Sequence, residues 1–504
     1  MIRSGLAPAG FFLSLVLAGC GAAAGHRAPP VVARAGSVPP APSPPATAAP
    51  ARTVAAAPDR ELERVLAAVA ALRTLPFRRA VSASPQSRDQ FRQVVREEIG
   101  RDLGPEKNLA ISRSLAHAGF LPRPIDLAAT LEEAETTQVA AYYDPRTEQF
   151  HTVSVTGGAA EREVVIAHEL THALQDQHFG LVDYDGGPGN AQNLSEDERA
   201  ARRFVVEGEA TFVMLAYQAG SGQGAARSLG PLQVAGVRMS LTMLAAIDYV
   251  EMLATVRTGA GADKLDGETR VALDALANLP PLNAVSLVDP YIRGAFLVSE
   301  AWARGGWARV AALYRDPPRS TEQALHPIEK LLDGRDPPII IRLPPPAETA
   351  AAVPALAGPP LLQQTIGELD WRCYFKTWDD PAPELAAAGW GGDLLTVWQR
   401  GGKDAGVVAT IATRWDSELA ATRFEQAYRR SLRRRFPPAP GARRGRAQAR
   451  GEAAAPPGVA FPRPDGTTVI VERHELDVDI IDGARPSEAA ALLAMLRAAN
   501  RGPR

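Results

Sequence analysis

Three of the eight histidines lie close together in VVIAHELTHALQDQHF, residues 164–179. His168 and His172 are four residues apart, so on a helix their imidazoles share one face about one turn apart, and both can reach one metal ion. Glu169 is rotated by about 100° from His168, which places its carboxylate beside the open position of such an ion without making it a ligand. The uncharged residues around the motif indicate a helix buried beneath a cleft.

A catalytic zinc ion takes three protein ligands and a water, so the histidine pair needs a third partner. His178 follows His168 by ten residues, but if the helix continues, it lies about 15 Å further along the axis. Glu207 and Glu209 are the alternatives, because they interrupt the apolar run of a second helix. Buried carboxylates require a cation or strong hydrogen bonds. Since these two point about 200° apart, we expect only one to face the metal.

The run HELTH at 168–172 resembles the signature of zincin metallopeptidases. His178 stands where metzincins, one zincin subgroup, carry a third histidine ligand. However, Gln175 replaces the glycine that turns their chain back to the metal, and glutamine favours a continued helix. The run EGEA at 207–210 resembles instead the E-G-x-A run on the second helix of gluzincins, in which the first glutamate is the zinc ligand.

The resemblance implies a Zn²⁺ cofactor held by His168, His172 and Glu207, with Glu209 and His178 as alternative third ligands. Such an ion lowers the pKa of its water toward about 7 and polarises the scissile carbonyl. The implied substrate is a protein or peptide, cut without a covalent intermediate.

In that chemistry Glu169 is the general base, which takes the proton of the water and returns it to the leaving amine. The resemblance also implies a small mixed sheet over the motif helix. AAYYDPRTEQFHTV at 140–153 is placed to supply the edge strand along which substrate lies, as two strands around a DPRTE turn. We further expect Gly208 to let the second helix pack closely against the motif helix.

A tetrahedral intermediate needs a hydrogen-bond donor for its oxyanion, and two downstream segments offer candidates. Tyr291 lies in VDPYIRGAF, and His326 lies with Glu322 in PPRSTEQALHP. The second segment resembles a run in uncharacterised bacterial zincin-like proteins that also carry E-G-x-A. Tyr291 and His326 are therefore candidate catalytic residues, whereas helix capping at Ser320 is the structural alternative for the second segment.

Besides an endopeptidase, the net charge and the HELTH motif are compatible with two other classes of protein. The net charge of −2 gives no electrostatic case for binding nucleic acid. A zincin-like envelope chaperone or assembly factor would hold client chains in the cleft without cutting them, and a scaffold would use the metal only structurally. The intact Glu169 favours the enzyme, because neither alternative needs a base beside the metal.

The N-terminus predicts export and lipid anchoring. Residues 1–19 have a basic start and a short apolar stretch, as in a signal peptide, and the LAGC run ending at Cys20 resembles the bacterial lipobox. Acylated Cys20 would anchor the protein in the bacterial envelope, facing the periplasm. Gly21 is not the aspartate associated with inner-membrane retention, which favours the outer membrane. Residues 20–58, rich in alanine and proline, form an extended tether.

The remaining chain predicts an α+β protein of two parts. Residues 59–342 form a mostly helical zincin-like metallopeptidase domain with a small mixed sheet, with one long helix beginning near Glu161. Proline and alanine at 343–361 mark a linker. Residues 362–504 form a smaller α+β domain of unassigned role, which we expect to fold separately and in which TTVIVERHELDVDII reads as one strand.

The second long helix of the first part should begin at Ser195, which forms a capping box with Glu198. Cys373 lies among aromatic residues and is interpreted as a core residue without a chemical role.

Overall fold

The computed structural model describes residues 60–153, 159–187, 194–220, 231–248, 267–356, 358–401, 406–437 and 459–503. The predicted signal peptide at 1–19, Cys20 and the tether at 20–58 lie outside these residues. Within them, none of the helices has both the length and the hydrophobicity needed to cross a bilayer.

The N-terminal part is mostly helical, with three short strands. Its elements in chain order are α1 (Arg60–Arg73), β1 (Ala83–Pro85), α2 (Arg88–Asp102), α3 (Pro105–Ala118), α4 (Leu127–Gln138), β2 (Ala141–Asp144), β3 (Gln149–Thr152), α5 (Ala159–Phe179), α6 (Leu181–Tyr184), α7 (Glu196–Gly220), α8 (Pro231–Ala245), α9 (Gly267–Ala277) and α10 (Pro281–Arg315).

The C-terminal part is built around a sheet. Its elements are α11 (Thr321–Leu325), a π-helical turn (Ile328–Leu332), β4 (Ile339–Arg342), α12 (Pro346–Ala352), a 3₁₀ turn (Pro354–Leu356), β5 (Leu362–Gln364), α13 (Gly367–Thr377), α14 (Pro383–Ala387), β6 (Trp390–Gln399), β7 (Val407–Trp415), α15 (Glu418–Arg435), β8 (Val459–Pro462), β9 (Thr468–His474), β10 (Asp477–Ala484), α16 (Ala489–Arg497) and β11 (Asn500–Pro503). The protein is thus α+β, as predicted.

The two long helices that carry the motif residues form as the sequence predicts. Helix α5 continues without a break to Phe179, so the chain does not turn back after Gln175. Helix α7 begins after Ser195, whose Oγ accepts a hydrogen bond from the Glu198 amide at 3.0 Å. This contact satisfies one of the amides that every helix leaves unpaired in its first turn.

The predicted hairpin around DPRTE is confirmed as β2 and β3, which pair antiparallel. Strand β1 pairs with β3 in parallel, so the sheet order is β1-β3-β2 and the small sheet is mixed. Strand β2 is at the edge of this sheet, and it packs against α5. The backbone of β2 therefore lies beside the motif helix.

Helix α7 is held between α5 and α10, and it is buried along most of its length. A Cβ atom at Gly208 would lie 2.2 Å from the carbonyl carbon of Gly294 on α10. The expectation that Gly208 serves packing against the motif helix is therefore wrong. The two glycines instead let α7 and α10 approach backbone to backbone.

The C-terminal sheet has the order β5-β6-β7-β10-β9-β8, with all neighbours antiparallel. The segment TTVIVERHELDVDII, interpreted from the sequence as one strand, is two strands, β9 and β10. They are joined by a tight turn in which Glu475 adopts φ 50°. Alternating residues face opposite sides of the sheet, so Val469 and Val471 join one core while Ile470 joins the other.

The two parts share one hydrophobic core, which runs from Val65 on α1 to Ile480 on β10. The stretch interpreted as a linker, 343–361, contains α12 and buries Val353 and Leu356 against the far side of the C-terminal sheet. Directly before it, β4 pairs with β11 at the C-terminal end of the chain. Apolar residues between the prolines thus give this stretch a packed structure.

Candidate metal centre

Three side chains converge at the centre of the N-terminal part. The Nε2 atoms of His168 and His172 are 3.1 Å apart, and each lies 3.4 Å from Oε2 of Glu207. All three residues are buried, and their donor atoms form a group that could hold a metal ion. Helix α5 supplies the histidines one turn apart, and α7 brings the glutamate against them.

The spacing of these atoms fits a tetrahedral zinc site. Bonds of about 2.0–2.1 Å at tetrahedral angles place neighbouring donor atoms about 3.3 Å from one another. The three observed separations lie close to this value. Among the described residues, no hydrogen bond reaches Oε2 of Glu207, which leaves a buried carboxylate oxygen directed at the two imidazoles. The donor set of two imidazoles and one carboxylate therefore fits Zn²⁺.

Gln175 orients His172, and sequence reasoning assigned it no role beyond continuing the helix. Its Nε2 donates to the carbonyl of Val206 at 2.9 Å and to Glu209 at 3.2 Å, so its Oε1 is free to accept from Nδ1 of His172 at 2.8 Å. A proton on Nδ1 leaves Nε2 of this imidazole as an unprotonated donor for a metal. This role could have been inferred from the sequence, because Gln175 follows His172 by three residues and therefore lies beside it on the helix.

The other predicted ligand on α7, Glu209, faces away from the histidines. Its carboxylate pairs with the buried guanidinium of Arg73 on α1 and accepts from the hydroxyl of Tyr314 on α10. Arg73 also lies over the ring of Trp307, 4.5 Å from its centroid. The buried carboxylate of Glu209 thus has partners on two other helices, and these contacts link α1 and α10 to α7.

Glu169 lies beside the candidate ligands and is buried. Its Oε2 accepts from the amide of Tyr143 on the edge strand β2 at 2.9 Å, whereas no described residue donates to Oε1. Burial raises the pKa of this carboxyl to about 8, and the positive charge of His172 opposes that rise. A divalent cation alongside would further favour the carboxylate form. The arrangement gives Glu169 one fixed oxygen and one free oxygen.

The electrostatics of the three ligands favour a bound cation. Burial lowers the pKa of His168 to about 4, so this imidazole is neutral. Burial opposes the charge on His172 as well, but the carboxylates of Glu207 and Glu169 and the hydrogen bond to Gln175 together outweigh it and raise the pKa of His172 to about 9. The two imidazoles in turn hold the pKa of Glu207 well below its usual range, although burial acts in the opposite direction. A metal ion would displace the proton from His172.

The remaining candidates from the sequence lie in different places. Tyr291 stacks on the ring of His168, with centroids 5.7 Å apart and planes 18° apart. His178 donates to the carbonyl of Pro76 at 2.8 Å, so its ring faces away from the metal centre. His326 lies 3.0 Å from both carboxylate oxygens of Glu368 on α13, within the C-terminal part. The structure therefore brings only Tyr291 to the metal centre.

Glu322 belongs to a second group of potential ligands, which it forms with Asp336 and Asp416. The ammonium of Lys330 lies among these carboxylates, 3.3 Å from Glu322 and 2.5 Å from Asp416. A lysine already supplies the positive charge there, so this group is a salt-bridge network.

A cleft of about 330 Å³ opens onto the metal centre. Glu169, His172 and Glu207 lie among its lining residues. One wall is formed by the end of α2 and the β2–β3 turn, and the other by α6 and the first half of α7. A bound molecule in this cleft would reach Glu169 and the candidate metal ligands together.

Comparison with known proteins concerns only the C-terminal part. Residues 360–492 match a family described as "Domain of unknown function (DUF8575)". No curated protein and no solved structure matches the chain. The metal centre lies outside the matched segment, so its interpretation depends on its own geometry.

Proposed function

We propose that this protein is a zinc-dependent endopeptidase in which His168, His172 and Glu207 hold the metal. The observation that carries the proposal is the triangle of donor atoms at 3.1, 3.4 and 3.4 Å, beside a buried carboxylate and at the base of a cleft. Anchoring through lipid on Cys20, and with it a place in the bacterial envelope, stays a prediction of the sequence.

The residues around the site divide the chemistry between them. When bound, zinc would polarise the scissile carbonyl and make a water more acidic. The amide of Tyr143 fixes Oε2 of Glu169, and Oε1 is left to take a proton from water and pass it to the leaving amine. Tyr291 packs on His168 and keeps that imidazole in place, and Gln175 does the same for His172.

The proposal is tested with purified protein, its zinc content and its cleavage of casein. Wild type should bind one zinc ion per chain and cut casein. Glu169→Gln should keep the zinc and lose about 10²- to 10⁴-fold in rate, because Glu169 is a base and not a ligand. Glu207→Gln should lose zinc, since it removes a charged ligand.

His178→Ala is the matched control, because it removes a histidine of the same helix outside the metal centre. It should leave zinc content unchanged. If His178→Ala loses zinc and Glu207→Gln retains it, the third ligand is wrong. Wild type that binds zinc but cuts no unstructured protein would favour the non-hydrolytic chaperone, and wild type without zinc would exclude the metal centre.

A further inference from the structure

The walls of the cleft are rich in arginine, and most of these side chains already have acidic partners. The arginines among the lining residues are Arg101, Arg146, Arg202 and Arg203. Arg101 and Arg146 both pair with Glu98. Arg202 pairs with Glu198 at 2.9 Å and donates to the carbonyl of Tyr184 at 2.6 Å. These three guanidinium groups are held in the wall of the cleft by the protein itself.

Arg203 differs from the other three. Within the part of the chain that the structure describes, it makes no hydrogen bond and no ion pair, although it is half-buried in the cleft wall. It precedes Glu207 by four residues on α7, so both side chains lie on one helix face, separated by about 6 Å of rise.

We propose that Arg203 binds a carboxylate of the substrate, so that the cleft selects peptides with a carboxylate near the scissile bond. This inference rests on the proposed peptidase function. Arg203 lines the cleft without a protein partner among the described residues, and its planar fork matches a carboxylate in a two-point contact. An acidic side chain and a C-terminal carboxylate both offer this group.

The position of Arg203 favours a substituent of the substrate over the reacting carbonyl. The base Glu169 and the ligand His172 lie at the bottom of the cleft, and helical side chains lean toward the N-terminus of their helix. Arg203 is therefore displaced from Glu207 toward the start of α7 and away from the reacting atoms. A group held there would lie to one side of a scissile bond placed at Glu169 and the candidate metal ligands.

Binding is measured on zinc-loaded Glu169→Gln protein, so that the result does not depend on hydrolysis. The probes are labelled decapeptides of alternating Gly-Asp or Gly-Asn, each with a free or an amidated C-terminus, followed by fluorescence anisotropy. A carboxylate-bearing probe should bind at least about tenfold more tightly than the amidated Gly-Asn peptide. Adding Arg203→Gln should reduce that preference to about twofold or less.

The four probes separate the two sources of the carboxylate. If the amidated Gly-Asp peptide binds more tightly than the amidated Gly-Asn peptide, the carboxylate comes from an acidic side chain. If only the peptides with a free C-terminus bind tightly, the carboxylate is that of the chain terminus. Both outcomes support the proposal. Arg203→Lys keeps the charge without the fork and should retain part of the preference. Arg199→Gln is the matched control, because Arg199 lies one turn earlier on α7, pairs with Glu196 and is outside the cleft lining.

The proposal would be overturned if the preference for carboxylate-bearing peptides were equal with Arg203 and with Arg203→Gln. It would also be overturned if protein that retains Arg203 showed no such preference. In cleavage assays Arg203→Gln should raise KM for acidic peptides more than for neutral ones. An equal fall in kcat for both would instead assign Arg203 to the reacting carbonyl and would also overturn it. If even wild type cuts nothing, the proposed function fails, and the binding preference still decides the role of Arg203.

Discussion

At the scale of single residues, chemistry that depends on spacing along one helix was predictable. His168, Glu169 and His172 follow from a four-residue repeat, and α5 presents them as that repeat requires. The resemblance of EGEA to the gluzincin run favoured Glu207 over Glu209, but helix geometry alone could not choose between two carboxylates on one apolar helix. Their partners come from helices distant in the sequence, and the local pattern does not encode those contacts.

Gln175 should matter for metal affinity more than for folding. Gln175→Ala removes the acceptor that fixes the tautomer of His172, and we expect zinc affinity to fall about 10- to 100-fold. Competition with a chromogenic chelator measures this affinity. Gln177→Ala is the control, because Gln177 lies on the same helix and bonds to the backbone of Arg78 and Arg79 instead. Equal zinc affinity in both variants would contradict the role given to Gln175.

Asp197 should make the stability of the protein depend on pH. Its buried carboxyl accepts from the amide of Thr321, and burial raises its pKa from 3.8 to about 8 against that hydrogen bond. The folded protein thus holds a proton that the unfolded chain releases. The free energy of unfolding receives this contribution in full below about pH 4, and it is lost as the pH rises through 8.

The test of this dependence compares Asp197→Asn with its parent by thermal unfolding at pH 5 and pH 8.5. Asparagine keeps the acceptor for Thr321 without a charge, so the variant should gain in Tm relative to the parent as the pH rises. Asp89→Asn, at an exposed position, should show no such gain. A Tm difference for Asp197→Asn that is equal at both pH values would disprove the assignment.

At the scale of elements, strongly patterned segments were predictable and close contacts between elements were not. The β2–β3 hairpin and the start of α7 follow from turn and capping residues. The β9–β10 segment was misjudged because Glu475 forms its tight turn without a glycine, asparagine or proline. No local signal links Gly208 to Gly294, since they belong to helices about 85 residues apart in the chain.

The contact between these glycines predicts the effect of a single methyl group. In Gly208→Ala the new Cβ atom would meet the backbone of Gly294, so α7 and α10 must separate and Glu207 must shift with them. We expect a loss of about 1–3 kcal/mol in the free energy of unfolding, together with weaker zinc binding. Denaturant unfolding and zinc titration measure the two effects.

Gly100→Ala provides the comparison, because Gly100 lies within α2 and a Cβ atom there meets nothing within 4 Å. Alanine at such a site should leave stability unchanged or raise it by about 0.5–1 kcal/mol. If Gly208→Ala behaves like Gly100→Ala, the backbone contact between α7 and α10 has no energetic weight.

At the scale of the whole molecule, the sequence and the structure lead to different expectations. The proline and alanine residues at 343–361 predict two separately folding domains. The structure instead packs Phe120, from the N-terminal part, against Trp371 on α13, with ring centroids 5.1 Å apart. Trp378 donates to the carbonyl of Gly119 at 2.7 Å. Composition identifies a stretch poor in large apolar residues, but it does not encode which surfaces meet around it.

The first turn of α7 takes part in the contact between the N-terminal and C-terminal parts. Asp197 accepts from the amide of Thr321, and Oγ1 of Thr321 in turn accepts from the amide of Leu369 on α13 at 3.2 Å. The C-terminal part thereby holds the first turn of the helix that carries Glu207. The metal centre and the C-terminal sheet should consequently unfold together as one cooperative unit.

Hydrogen exchange can measure whether the two parts are one unit. The amides of the central strands β7 and β10 exchange only when the C-terminal sheet unfolds. If that event also destroys the metal centre, zinc at about 100 times its Kd stabilises the unit by about 2.7 kcal/mol and slows exchange in both strands about 100-fold. Glu207→Gln protein in the same zinc concentration should show no slowing, because it lacks a ligand. If zinc does not change the exchange rates of β7 and β10 in the wild type, the C-terminal part folds on its own, as the composition at 343–361 predicts.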